Sequence, residues 1–141
     1  ISLAVVAMHL RRVVWLWGPV VAYMAVIFYE SSLHAAPLPS AISDKVAHAL
    51  GYALLGALCA RAVAGGFPLP LSPGSAALSL AIAVAYGATD EWHQRFVSGR
   101  SADLADLLAD AVGAALAVGA VWACGIIWPR WASRLASPRD V

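Results

Sequence analysis

The fold the sequence predicts is an all-α bundle of four membrane-spanning helices, arranged as two helical hairpins. Three observations point there. Of 141 residues, 62% are hydrophobic and only 12% are charged, against about 45–50% and about 25% in an ordinary soluble domain. Four apolar stretches approach the ~20 residues that a helix needs to cross a bilayer, and Gly/Pro-rich breaks separate them. Seven of the eight acidic residues fall at the same end of those stretches. The composition excludes a disordered chain. It also excludes a disulfide scaffold, since Cys59 and Cys124 both lie inside apolar runs. A net charge of +1 shows no basic face, so no nucleic-acid partner is expected.

Residues 1–12 form an apolar N-terminal segment that a surface helix, an extension of the first span or a cleaved signal would each explain. The first span is expected over Val13–Tyr29, with a kink at Gly18-Pro19. The second covers Val46–Ala64. The third, Ala76–Trp92, is the least apolar and ends in Asp90-Glu91. The fourth, Leu107–Trp128, is the clearest. The breaks carry Pro37 and Pro39, then Pro68, Pro70 and Pro73, then Gly99. Residues 129–141 mix Trp131 with Arg130, Arg134 and Arg139, a pattern suited to the membrane interface. Trp15, Trp17, Trp122 and Trp128 near span ends read as interfacial anchors.

Lipid supplies no hydrophobic drive for helices to associate, so small side chains that allow close backbone contact must substitute. Ala77, Ala81, Ala85 and Thr89 form one four-residue column, Ala49, Ala53 and Ala57 a second, and Gly113 and Ala117 a third. Each is expected at a helix contact.

Charge sets the expected orientation. Arg11, Arg12, Arg61, Arg130, Arg134 and Arg139 fall on the side of both termini, against Lys45, Arg95 and Arg100 on the other. Six bases against three predict that both termini are cytoplasmic. Glu30, Asp44, Asp90, Glu91, Asp103, Asp106 and Asp110 then gather at the external end.

Several of these acids lie too deep to be loop decoration. Asp103, Asp106 and Asp110 share one helix face, with Asp110 about 10 Å further along than Asp103. A carboxylate there costs a few kcal/mol unless it faces the bundle interior, a partner or water. Asp44, His48 and Tyr52 line a face of the second span, and Tyr86, Asp90 and Gln94 a face of the third. Lys45, Arg95 and Arg100 are the available counter-charges. One account of this end is a hydrogen-bonded network that docks the helices; the other is a ligand pocket.

No metal site or cofactor is assigned. Asp90, Glu91 and His93 offer suitable ligand atoms, but no second histidine shares their face. Arg100, between Gly99 and Ser101, suits either an anion or a pairing with Glu91 or Asp103. Ser31 and Ser32 lack a recognisable base, His34 being too weak a signal.

These residues carry a resemblance. Ser31-Ser32, Asp44-Lys45, His48, Tyr52, Tyr86-Gly87, Asp90-Glu91, Gln94, Phe96, Gly99-Arg100, Asp106, Asp110 and Gly113 follow the pattern of the VanZ-like family of small bacterial membrane proteins. The similarity covers residues 25–120 and implies a VanZ-like multi-helix membrane domain, placed here over 13–128. The family's namesake is associated with teicoplanin resistance. Asp110 departs from the pattern, which usually has Asn there.

The function expected is binding of, or action on, an amphiphilic or anionic envelope molecule, such as a lipid or an envelope precursor. Its site is the polar cluster Asp44, Lys45, His48, Tyr86, Asp90, Glu91, Gln94, Arg100, Asp106 and Asp110. Asp90, Glu91 and Asp106 are the acid/base candidates, with Arg100 for an anion; no catalytic residue or reaction is assigned. The alternative is a non-catalytic accessory subunit of a larger membrane complex.

Overall fold

The computed structural model describes residues 2–33, 43–67, 70–100 and 102–136, with side chains as far as residue 125. His34, Pro37, Pro39, Pro68, Ser101 and Arg139 lie outside that description. The described residues form four helices: α1 (Leu3–Ser32), α2 (Asp44–Ala64), α3 (Pro73–Gln94) and α4 (Leu104–Ala136). No strand occurs among them. α1, α2 and α4 are long and apolar enough to cross a membrane; α3, the alanine-rich one, is less apolar.

Local chemistry sets the ends. Ser43 caps α2 and Ser72 caps α3, the latter taking the Ser75 N–H at 3.0 Å, with Pro73 at the first helical position. Asp103 accepts the Ala105 N–H at 2.9 Å and starts α4 three residues before the expected Leu107. α2 stops at Gly65 and Gly66, whose φ values of 82° and 110° favour glycine. A Cβ on Gly66 would also lie 3.3 Å from the Trp15 ring. At the N-terminus, residues 3–12 continue into α1 without a break, making 30 helical residues. That is about 45 Å of helix, longer than the ~30 Å hydrocarbon core.

α1 also runs through Pro19. Proline has no N–H, so the Trp15 carbonyl four residues earlier loses its intrahelical donor. Arg61 of α2 replaces it: its Nη1 donates to the Trp15 oxygen at 3.2 Å and the Leu16 oxygen at 3.3 Å. The guanidinium stacks 3.8 Å from the centre of the Trp15 ring. One arginine thereby repairs the proline defect and ties α1 to α2.

The most extensive contact joins α2 to α4, which are not sequence neighbours. They run parallel, since Lys45 meets Asp103 and Asp106 while His48 meets Asp110. Glycine permits this approach. A Cβ on Gly113 would fall 1.9 Å from the Ala49 carbonyl oxygen, and one on Gly56 would fall 2.9 Å from the Ala114 Cα. α3 packs on α2 and α4, and α1 lies over α2 and α3 without touching α4 among the described residues. Leu16, Val20, Tyr52, Leu55, Cys59, Ala83 and Ala114 form the shared core.

Two expected small-residue columns therefore lie at contacts, through Ala49 and Gly113. The third does not. Ala77, Ala81, Ala85 and Thr89 are exposed, while Ser79, Ala83 and Gly87 make the buried face of α3. Small residues populate both faces, so the four-residue spacing alone could not choose between them.

Gly113→Ala should destabilise the protein by about 1–3 kcal/mol, the usual cost of overpacking. Gly119→Ala, where a Cβ would meet nothing within 4 Å, should be neutral or slightly stabilising; thermal unfolding in detergent compares them. Arg61→Met should cost about 1 kcal/mol, and less in a Pro19→Ala background that restores the missing N–H. A double-mutant cycle reads that difference.

Candidate functional site

The C-terminal ends of α1 and α3 and the N-terminal ends of α2 and α4 meet at one end of the bundle, bringing the predicted polar residues together. They divide into two groups. The first joins α1 to α3. Ser31 donates to Asp90 Oδ1 at 2.6 Å, and Gln94 Nε2 donates to Asp90 Oδ2 at 3.2 Å, all three residues being buried. Both carboxylate oxygens are thus occupied. Beside them, Ser32 Oγ lies 3.0 Å from His93 Nε2 and donates to the Phe28 carbonyl at 2.6 Å. The single Ser32 hydroxyl proton can go to only one of these two partners. The His93 ring stacks on Phe28 at 4.3 Å. Tyr86 belongs to the same seam, donating to the Met24 carbonyl at 2.5 Å.

The second group joins α2, α3 and α4. Lys45 bridges Asp103, at 2.7 Å, and Asp106. The ammonium and the Ala105 N–H hold the Asp103 carboxyl below the usual carboxylate range. One turn deeper, His48 Nδ1 lies 2.9 Å from Asp110 Oδ1. Glu91 reaches across from α3, its Oε2 taking the Asp103 N–H at 3.0 Å. Glu91 Oε1, Asp110 Oδ2 and the Tyr52 hydroxyl are buried and have no hydrogen-bond partner.

Adjacent residues on α3 therefore serve different neighbours. Asp90 and His93 face α1, whereas Glu91 faces α4, so the trio Asp90, Glu91 and His93 does not converge. Ligand atoms do converge in two other sets, Asp44, His48 and Asp106, and His48, Glu91 and Asp110, each within 4.8 Å of one another. Arg100 pairs with neither Glu91 nor Asp103. Its Nε donates to the Leu33 carbonyl and its Nη2 to the Glu30 carbonyl, each at 3.2 Å, at the end of α1, where the Glu30 oxygen also takes the Leu33 N–H. Arg95 lies over the Trp92 ring at 5.1 Å, away from the acids.

Between α1 and α2 a cleft of about 310 Å³ opens at this end. Glu30, Ser31, Asp44, His48, Asp90, Gln94 and Arg100 supply its polar lining; Tyr23, Val26, Ile27, Ala47, Gly51 and Tyr52 supply the rest. Of the predicted cluster, Asp44, His48, Asp90, Gln94 and Arg100 reach the cleft. Lys45, Tyr86, Glu91, Asp106 and Asp110 do not line it. Glu30, Ser31 and Tyr52 are cleft residues that sequence reasoning does not count among the site. The first two end the first span, and Tyr52 shares a helical face with Asp44 and His48, which is the available signal.

Ser31→Ala should destabilise the protein by about 1–2 kcal/mol, because a buried carboxylate loses a donor. The cost should shrink in an Asp90→Asn background, where no charge is left short of a partner. Unfolding of the four variants in mixed micelles measures the coupling. With this geometry in hand, comparison with known proteins adds one finding. The VanZ/LLP1 family model matches residues 16–127, a range that contains every residue of both polar groups. No curated protein and no solved structure matches. A match over most of the chain, carried by helices apolar enough to cross a membrane, places the chain in the VanZ/LLP1 family of membrane proteins.

Proposed function

We propose that this chain spans the bacterial cytoplasmic membrane four times, with both termini inside, and binds an amphiphilic envelope molecule at its outward-facing polar end. The observation that carries this reading is the two-zone lining of the α1–α2 cleft. Glu30, Ser31, Asp44, Asp90 and Arg100 lie where the helices end. Tyr23, Val26, Ile27 and Gly51 lie up to about two turns further along α1 and α2. A molecule with a polar head and an apolar tail matches that order, lying along the helices with its head at the membrane surface. About 310 Å³ is at the small end for ligand pockets. It suits a headgroup and the first part of a chain whose remainder stays in lipid.

The head should carry an anionic group and a donor. Arg100 Nη1 makes no hydrogen bond among the described residues, and a guanidinium suits phosphate or carboxylate. Asp44 and Glu30 on the same rim favour an amine or hydroxyl beside that anion. The site reads as binding rather than catalytic. Asp90, the buried acid of the cleft lining, has both oxygens committed.

A second reading, an accessory subunit in a larger membrane complex, draws on one observation. The exposed Ala77, Ala81, Ala85 and Thr89 column on α3 would let another helix approach closely.

Native mass spectrometry of the protein extracted gently from its own membrane separates the two. A defined amphiphile should accompany the wild-type chain and be lost from Arg100→Ala and from Gly51→Leu, which fills the cleft. Identical lipid complements in all three would overturn the cleft reading. A stoichiometric protein partner lost from Ala81→Leu would establish the accessory role instead.

A further inference from the structure

We propose that His48, Glu91 and Asp110 form a binding site for a divalent transition-metal cation, set between α2, α3 and α4 beside the amphiphile cleft. One side chain comes from each helix, and their ligand atoms lie within 4.8 Å of one another. His48 Nδ1 and Asp110 Oδ1 are 2.9 Å apart. Two ligands on a tetrahedral ion with bonds of 2.0–2.1 Å are separated by about 3.3 Å. A cation replacing that hydrogen bond therefore needs only small adjustments.

The unpartnered oxygens point to a ligand independently of this clustering. Asp110 is 1% exposed, Tyr52 3% and Glu91 7%, yet Asp110 Oδ2, the Tyr52 hydroxyl and Glu91 Oε1 bond to nothing. Buried polar atoms without partners are rare because each carries its full desolvation penalty. Gly87 keeps the space beside them open. A Cβ there would lie 3.1 Å from Tyr52 Cε1 and 3.3 Å from Asp110 Oδ2.

Charge agrees. Lys45 is already engaged by Asp103 and Asp106. That leaves two carboxylates and one imidazole in a low-dielectric site, and a doubly charged ion balances the carboxylates with the imidazole neutral. One nitrogen and carboxylate oxygens suit zinc or manganese better than a softer ion or calcium. The Asp103 N–H on Glu91 Oε2 supplies the outer support that holds a ligand in place. The second set, Asp44, His48 and Asp106, shares His48 and includes the exposed Asp44.

The test uses the full chain in detergent or nanodiscs, stripped with chelator and titrated with Co²⁺, Zn²⁺ and Mn²⁺. Metal content is read by mass spectrometry and coordination by the visible absorption of Co²⁺. About one ion per chain should bind, with the intense bands of a four- or five-coordinate site. Glu91→Gln and Asp110→Asn, close in shape to the native residues, should each weaken binding by at least about tenfold and alter the Co²⁺ spectrum. Gly87→Ala, with every ligand kept, should weaken it as well. Arg100→Ala should bind metal like the wild type, so loss of the amphiphile and loss of the metal are separable. No stoichiometric uptake by the wild type, or unchanged affinity and spectrum in Glu91→Gln, would overturn the proposal.

Discussion

The close approach of α2 and α4 at Ala49 and Gly113 is the constraint on which the polar end depends. Two parallel helices can come this near only where one side lacks a Cβ, and Gly113 has the Ala49 carbonyl where its own Cβ would be. Gly56 does the same against Ala114 further along. The pairing sets the register of everything one to three turns toward the helix starts. It puts His48 against Asp110 and Lys45 against Asp103 and Asp106. In lipid this weighs more than in water, because packing and polar contacts have to hold the helices without a hydrophobic drive.

The two ends of the bundle solve a shared physical problem with different chemistry. Backbone and charge that cannot reach water must find partners inside the protein. Near the Trp15 end the problem is a proline, and Arg61 supplies the N–H donors that α1 lacks. At the polar end the problem is an excess of carboxylates, which Ser31, Gln94, Lys45 and the Asp103 N–H answer one by one. Arg100 braces the end of α1 as Arg61 braces its interior, donating to two backbone carbonyls there. Among the described residues, the buried side-chain atoms left without a partner belong to Tyr52, Glu91 and Asp110. The metal proposed above would give two of them, Glu91 Oε1 and Asp110 Oδ2, a partner.

Much of the site is legible in the amino-acid sequence. A deep acid in an apolar run has few tolerable environments, so Asp106 and Asp110 imply a polar interior, and helical spacing puts His48 and Tyr52 on one face. The pairings are not legible there. Successive helical residues are turned by about 100°, so Asp90 and Glu91, neighbours in the chain, serve α1 and α4 respectively. Ser31 gives no local signal, because its meaning comes from Asp90, fifty-nine positions away.

The sequence by itself determined four helices, the limits of α2 and α3 to within a turn, and the gathering of acids at one end. These follow from composition, capping residues and the need of a spanning backbone to satisfy its own hydrogen bonds. It did not determine that α2 packs hardest on α4, that the Ala77–Ala85 column faces outward, or that Arg100 closes the end of α1 rather than pairing with an acid. Those outcomes were decided by the tertiary structure. Periodicity fixes which residues share a face of a helix, whereas only packing in three dimensions selects which faces meet.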